Sequence, residues 1–162
     1  MMVEEISMRE LIEECLERKR GSALERGIHL QGAKEDLQTV CRADRKLLRA
    51  ALGNMIEAAL RYSHAGSVIT VGCHDDDRRV HVYTSSDGGA IPFEELRSIH
   101  GLLCHPAMPE TWENEELEAP LVFLSVVKEI ADLHGGNVGV RSSRDKEVTF
   151  ALYLPRRESG VA

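Results

Sequence analysis

The chain has 162 residues, with 20 basic and 27 acidic side chains and a formal net charge of −7. That balance argues against a nucleic-acid partner, because a phosphate backbone needs a basic face, and mildly against anionic membrane surfaces. Hydrophobic residues at 43% and charged residues at 29% describe a globular chain, and aromatics at 4% leave an aliphatic core.

The length suits one domain spanning 1–162, with a core over about 7–155 and a polar tail over 156–162. The start, Met1-Met2-Val3-Glu4-Glu5, is acidic, and no apolar run of membrane-spanning length follows. No membrane insertion is therefore expected. Cys15, Cys41, Cys73 and Cys104 are scattered and form no CxxC pair, which suits free thiols and a cytoplasmic setting.

Ser7 to about Arg26 reads as a helix. Ser7 and Glu10 form a capping box, Leu11, Ile12, Cys15 and Leu16 recur at helical spacing, and Gly27 ends it. Ile28-His29-Leu30 and Thr39-Val40-Cys41 are short strand candidates. Asp44 then caps a second helix to about Tyr62, with Leu47, Leu48, Ala51, Leu52, Met55, Ile56 and Ala59 on its apolar face. Residues 67–74 and 78–85 alternate apolar and polar around Asp75-Asp76-Asp77, a hairpin. Ser86-Asp87-Gly88-Gly89-Ala90-Ile91-Pro92 is a turn feeding a short helix over about 93–103, and a polar, acidic loop over 104–118 follows. A third long helix covers Leu121 to His134 and stops at Gly135-Gly136. Residues 137–143 and 147–154 close the chain as a second hairpin, ended by Pro155. Hairpins and long helices in this order give an α/β class: a two-layer α/β sandwich, with a mixed sheet of about five strands and helices on one face.

Four segments carry a more specific pattern. They are Asp44-Arg45-Lys46-Leu47-Leu48 into Asn54-Met55-Ile56-Glu57-Ala58-Ala59-Leu60-Arg61-Tyr62-Ser63; Gly88-Gly89-Ala90-Ile91-Pro92; residues 124–136, ending His134-Gly135-Gly136; and Phe150-Ala151-Leu152-Tyr153-Leu154-Pro155. In this order they resemble the GHKL ATPase superfamily, and most closely the HATPase_c catalytic domain of bacterial sensor histidine kinases. The resemblance covers about residues 7–155 and implies the Bergerat fold.

It also implies a nucleotide pocket, and there the sequence departs from the family. The family's N box reads roughly NLLxNA, and its second Asn holds the Mg²⁺ that bridges the ATP phosphates. Asn54 matches the first Asn, Ala58 stands at the second, Arg61 at the usual Lys, and Tyr62 at the usual aromatic. Positions 54, 58 and 61 share one helix face. In the family's DxGxG block the Asp bonds to adenine. That position is Ser86 here, with Gly88 at the first glycine, Ala90 at the second, and Asp87 one place late and pointing to the other face. The family's GxGLGL block becomes Leu121-Val122-Phe123-Leu124, after Pro120 and after Glu113, Glu115, Glu116 and Glu118. Losing two charge-assisted hydrogen bonds at roughly 1.5–3 kcal/mol each weakens binding by about 3–6 kcal/mol, on the order of a hundred- to ten-thousand-fold. Asn54, Arg61, Tyr62, Asp87 and Gly88 are therefore the candidates for a residual nucleotide pocket; Phe123 and Val122 are expected either to fill the vacated adenine space, the favoured outcome, or to form a partner surface.

Blander readings stand beside these. With Ala58 in place of the second Asn, Asn54 reads more readily as a polar residue at the sandwich edge, Arg61 equally as a solvated helix end, and Glu57 as an exposed helical Glu rather than a general base. His100, Cys104 and His105 have a spacing open to zinc, but no second cluster completes four ligands, so no metal site is expected. His74-Asp75 lies at a strand end, unlike the family's phosphoacceptor hairpin. The leading expectation is a degenerate histidine-kinase-like domain, not itself an enzyme and with no cofactor. It would dock a receiver domain or a histidine-phosphotransfer or dimerisation domain in two-component signalling. The alternative is an active catalytic domain that binds Mg-ATP and phosphorylates a His on a partner hairpin, and a third reading makes the chain the catalytic part of a longer sensor.

Overall fold

A computed structural model of the chain describes residues 1–34, 39–104, 119–143 and 147–156. The elements in chain order are β1 (Val3–Ser7), α1 (Met8–Glu25), β2 (His29–Gly32), β3 (Val40–Asp44), α2 (Arg45–Tyr62), β4 (Val68–Asp75), β5 (Arg79–Ser86), α3 (Phe93–Cys104), α4 (Ala119–Leu133), β6 (Asn137–Ser142) and β7 (Val148–Pro155). Five strands form one mixed sheet in the order β2-β4-β5-β7-β6. Only β2 and β4 run parallel within it; the other pairs are antiparallel.

The strand alternation decides which face is covered. On β5, Val80, Val82, Thr84 and Ser86 are buried, and on β7, Val148, Phe150, Leu152 and Leu154 are buried. Their neighbours along each strand are at least partly exposed. The helices pack on that buried face: α2 against β5, β7 and α4, α1 against β2 and α2, and α3 against α4 and β6. This is the two-layer sandwich expected from the sequence.

The N-terminal strand was not expected. Val3 and Ile6 lie three apart among acidic residues, which is no strand signal. β1 is held instead by antiparallel pairing with β3, Val3 opposite Asp44 and Ile6 opposite Cys41, in a separate two-stranded sheet. Ile6 and Met8 are fully buried, so the packed core begins before residue 7.

Capping sets the helix ends. The Ser7 hydroxyl accepts the Glu10 N–H at 3.5 Å, and the Asp44 carboxylate accepts the Leu47 N–H at 3.1 Å. At the end of α4, Gly135 takes φ +71°, and the Gly136 N–H returns to the Ala131 carbonyl at 2.8 Å. Just before it, His134 is 4% exposed. Its Nδ1 meets the Ile130 carbonyl at 2.8 Å and its Nε2 accepts the Asp44 N–H at 3.0 Å, so the ring ties α4 to β3.

The β4–β5 turn is held by one side chain. The Asp76 carboxylate accepts the N–H groups of Arg78 and Arg79 at 2.8 and 2.7 Å and meets His81 Nε2 at 3.0 Å. These bonds, the Arg78 N–H first, hold its pKa far below the usual carboxylate value. The folded state therefore keeps this proton off to lower pH than the unfolded chain does. The resulting stabilisation is present above the ordinary carboxylate pKa of about 3.9 and is lost as pH falls through the folded value. Asp76→Asn should accordingly show a flatter loss of urea midpoint below about pH 4 than the wild type. Parallel curves for the two proteins would refute the role given to Asp76.

Candidate functional site

The five candidate residues do not share one surface. On α2, Asn54 is half-buried and its Nδ2 donates back to the Ala50 carbonyl at 2.7 Å. One turn on, Ala58 is fully buried and offers no donor atom to a metal. Arg61 is exposed, whereas Tyr62 is buried, with its ring 6.3 Å from that of Phe150. The shared face drawn for 54, 58 and 61 is thus a boundary: Asn54 and Arg61 lie on its solvent side and Ala58 within the core.

At the end of β5, Ser86 points inward and is fully buried. Its hydroxyl is 2.6 Å from that of Ser63, which itself donates to the Ala59 carbonyl at 2.7 Å, and it receives the Gly88 N–H at 3.4 Å. The position that the resemblance gives to an adenine-binding carboxylate is thus a small hydroxyl inside a closed hydrogen-bond chain. Asp87 points to the other face, as the one-residue offset requires. Its Oδ1 accepts the Val68 N–H at 2.8 Å, and it lines a hollow on the uncovered sheet face with Gln31, Thr70 and Tyr83.

The two glycines that follow serve chain packing. The Gly88 carbonyl accepts from the His64 N–H at 2.7 Å and the Ser67 hydroxyl at 2.6 Å. Gly89 bridges to Ser63, and a Cβ there would stand 2.0 Å from the Tyr62 carbonyl oxygen.

Beside Tyr62, a cleft of about 330 Å³ is lined by Glu94, Glu95, Ser98, Pro120 and Leu121. Its described lining holds two carboxylates and no cation, an arrangement that repels a triphosphate. From α4 it is Pro120 and Leu121 that line this cleft. Phe123 does not fill it, contrary to expectation. It packs on the core margin and lines a separate groove between α1 and α2, together with Cys15, Lys19, Arg49 and Asn54. The helical phase explains the difference, because two residues along α4 is about 200° of rotation.

Glu57 is neither an exposed Glu nor an available base. It is half-buried and paired with Lys19 at 2.9 Å. His100 and Cys104 are exposed on α3, while His105 and the glutamates at 113, 115, 116 and 118 lie outside the described residues. Among the described residues no group of three His, Cys, Asp or Glu side chains is placed to hold a metal ion. His74 is exposed on the open sheet face, stacked on His81 with centroids 4.6 Å apart. Among the described residues no helix is long and apolar enough to cross a membrane. Sequence reading missed Ser63 as the partner of Ser86, and the cations gathered around the α1–α2 groove. The first is a local i, i+4 back-bond invisible in a motif, and the second needs two helices to be brought together.

Comparisons with known proteins agree with this fold. The family model described as histidine kinase-, DNA gyrase B-, and HSP90-like ATPase matches residues 43–158. The chain is 30% identical over 135 residues to the sensor histidine kinase CusS of Escherichia coli O157:H7, covering 83% of this chain and 27% of that protein. It is 32% identical over 114 residues to the adaptive-response sensory kinase SasA of Parasynechococcus marenigrum (strain WH8102), covering 70% of this chain and 29% of that protein. The chain thus spans under a third of the length of these relatives. Among solved structures, the nucleotide-free catalytic domain of histidine kinase ThkA superposes with a TM-score of 0.76 at 22% identity, covering 96% of this chain and 97% of that one. A family model that matches residues 43–158 and a sensor histidine kinase 30% identical over 83% of this chain make the chain a member of the histidine kinase-, DNA gyrase B- and HSP90-like ATPase family, of the histidine-kinase catalytic type.

Proposed function

We propose that the chain is a histidine-kinase-type ATPase domain whose nucleotide binding is weak or lost, and which works as a regulatory, protein-binding module in two-component signalling. The observation that carries this reading is Ser86. The residue at the adenine-carboxylate position is fully buried, and its hydroxyl is committed to Ser63. Ala58 at the metal-holding position, and the paired carboxylates Glu94 and Glu95 in the cleft beside Tyr62, support it. The residues present do not fit Mg-ATP, so no catalytic step is derived from it. The partners on this reading are a receiver domain or a histidine-phosphotransfer or dimerisation domain, met in the cytoplasm.

An active catalytic domain is the second reading, favoured by Asn54 and Arg61, which keep polar side chains at two of the family's phosphate-side positions. Thermal melting with and without Mg-ATP separates the two. A ligand at a hundred times its Kd stabilises by about 2.7 kcal/mol, so a functional site cannot hide from this measurement. The expected result is no rise in Tm with sub-millimolar Mg-ATP. A clear Mg²⁺-dependent rise would remove the degenerate reading and install the active one.

A further inference from the structure

The largest groove among the described hollows lies between α1 and α2, on the side of the helices away from the sheet. Its volume is about 580 Å³, and it is lined by Arg18, Lys19, Lys46, Arg49, Asn54 and Glu57 over a floor of Cys15, Ala50, Gly53 and Phe123. Four cations and one carboxylate reverse the sign of a chain whose net charge is −7. The one carboxylate is already spent on Lys19 at 2.9 Å. Behind the rim, Glu14 holds Arg45 and Arg49 at 2.9 and 2.8 Å and reaches Arg18 at 3.7 Å. The Lys46 side chain has no ion pair or hydrogen bond among the described residues.

Two features of α2 run against helix rules, and both fall on this groove. The first turn holds Arg45 and Lys46 and no acidic residue beyond the Asp44 cap, and with Arg45 held by Glu14 it is Lys46 that, among the described residues, stands unpaired at the positive end of the helix dipole. Gly53 sits mid-helix, where glycine weakens a helix, yet a Cβ there would meet nothing nearer than the Lys19 Cε at 3.7 Å. Packing does not require that glycine; its effect is to leave the groove floor open. Local rules broken together on one surface mark a functional site.

We propose that this groove docks an acidic segment of a partner protein, its carboxylates meeting Lys46, Arg18 and Arg49 and one apolar side chain resting on Phe123 and Gly53. The groove follows α2 from Lys46 to Glu57, about 16 Å at 1.5 Å per residue. A stripe of that length with an apolar floor matches a short peptide rather than a single anion, which would use one end only. Thiol chemistry plays no part in the floor, since burial pushes the Cys15 thiol up to about 11. The inference deepens the protein-binding reading above and rests on it in choosing a protein partner.

The test is an amide-shift NMR titration of the isotope-labelled chain at low salt with a blocked Glu/Leu helical peptide, and with a Lys/Leu peptide of equal length as control. Shifts should centre on Arg18, Lys19, Lys46, Arg49, Gly53 and Phe123, and the Lys/Leu peptide should not bind. The double variant Arg18→Glu, Lys46→Glu should bind the Glu/Leu peptide about tenfold more weakly or worse. Arg18→Glu sets a second carboxylate beside Glu14, so the single variant Lys46→Glu, which breaks no ion pair among the described residues, is the folding control: it should keep the wild-type melting temperature and still weaken binding of the Glu/Leu peptide. Unchanged affinity in the double variant, shifts centred on the open sheet face, or equal binding of the Lys/Leu peptide would overturn the proposal. So would complete displacement of the peptide by equimolar inorganic triphosphate, which would make the groove a small-anion site. No nucleotide enters the primary readout. A Mg-ATP response in the melting experiment would therefore remove the degenerate reading and leave this inference standing, while an unchanged double variant would remove this inference alone.

Discussion

Replacing Ser86 with aspartate is expected to destabilise the domain by about 3–5 kcal/mol at neutral pH and to confer no Mg-ATP binding. The substitution restores the carboxylate that the family resemblance places there, so it is the direct trial of whether the pocket lacks only that one group. The surroundings predict that it lacks more. Ser86 is fully buried on the inner face of β5, beside Thr84 on the same strand and opposite Val148 of β7. The Thr84 hydroxyl has no hydrogen-bond partner among the described residues, so it is an unused donor on this face, but one neutral hydroxyl does not offset a buried charge. The polar groups that reach Ser86 are the Ser63 hydroxyl at 2.6 Å and the Gly88 N–H at 3.4 Å. They suit a hydroxyl and are too few for a charge. Burial raises the pKa of a carboxyl in such a place by up to 3–5 units or so, so the variant folds with the new carboxyl protonated. The sign of the pH dependence follows. With the folded pKa above the unfolded one, stability is retained below about pH 4 and falls as pH rises through the window up to the raised value. Denaturant midpoints at several pH values, each with and without Mg-ATP, make the measurement. Recovery of the lost stability by Mg-ATP would show that adenine reaches this residue, and the degenerate reading would fall.

What the sequence disclosed, and what it did not, divides along the range of the interactions. The two hairpins, the α2 cap at Asp44 and the stop at Gly135-Gly136 are written in neighbours along the chain, and each is legible there. Asp87 reads as turned away from the pocket because strand alternation is a strict period of two, and its bond to the Val68 N–H bears this out. β1 is invisible in the sequence because its reason lies some forty residues away, in the register with β3. Glu57 and Phe123 are misplaced for the same kind of reason. Helical phase says which residues share a stripe, but not which neighbouring helix that stripe will meet. Once α1 is laid beside α2, Glu57 acquires Lys19 and Phe123 acquires the groove rather than the cleft beside Tyr62. Which neighbour each of these side chains meets is thus the part that helical phase alone does not disclose.

Gly89→Ala should cost about 3 kcal/mol or more, although it adds one methyl group at an ordinary turn. The added Cβ would stand 2.0 Å from the Tyr62 carbonyl oxygen, 2.9 Å from its carbon and 3.1 Å from the Ser63 Cα. All three are main-chain atoms, so no side chain can swing aside to make room. Relief requires the Gly89–Ser63 bridge to open, and that bridge is part of what joins the end of α2 to the end of β5. The His64 N–H bond to the Gly88 carbonyl at 2.7 Å and the Ser63–Ser86 contact lie on the same seam. Tyr62, buried against Phe150, is its anchor on the helix side. Gly21→Ala is the matched control. Gly21 lies inside α1 with nothing within 4 Å of its would-be Cβ, so alanine there should stabilise by about 0.5–1 kcal/mol through helix propensity alone. The pair separates a steric requirement from a propensity effect within one protein. Urea unfolding of the two variants makes the measurement: a loss of about 3 kcal/mol in Gly89→Ala beside a gain in Gly21→Ala assigns Gly89 to the α2–β5 seam, and a loss within experimental error at Gly89 overturns that assignment.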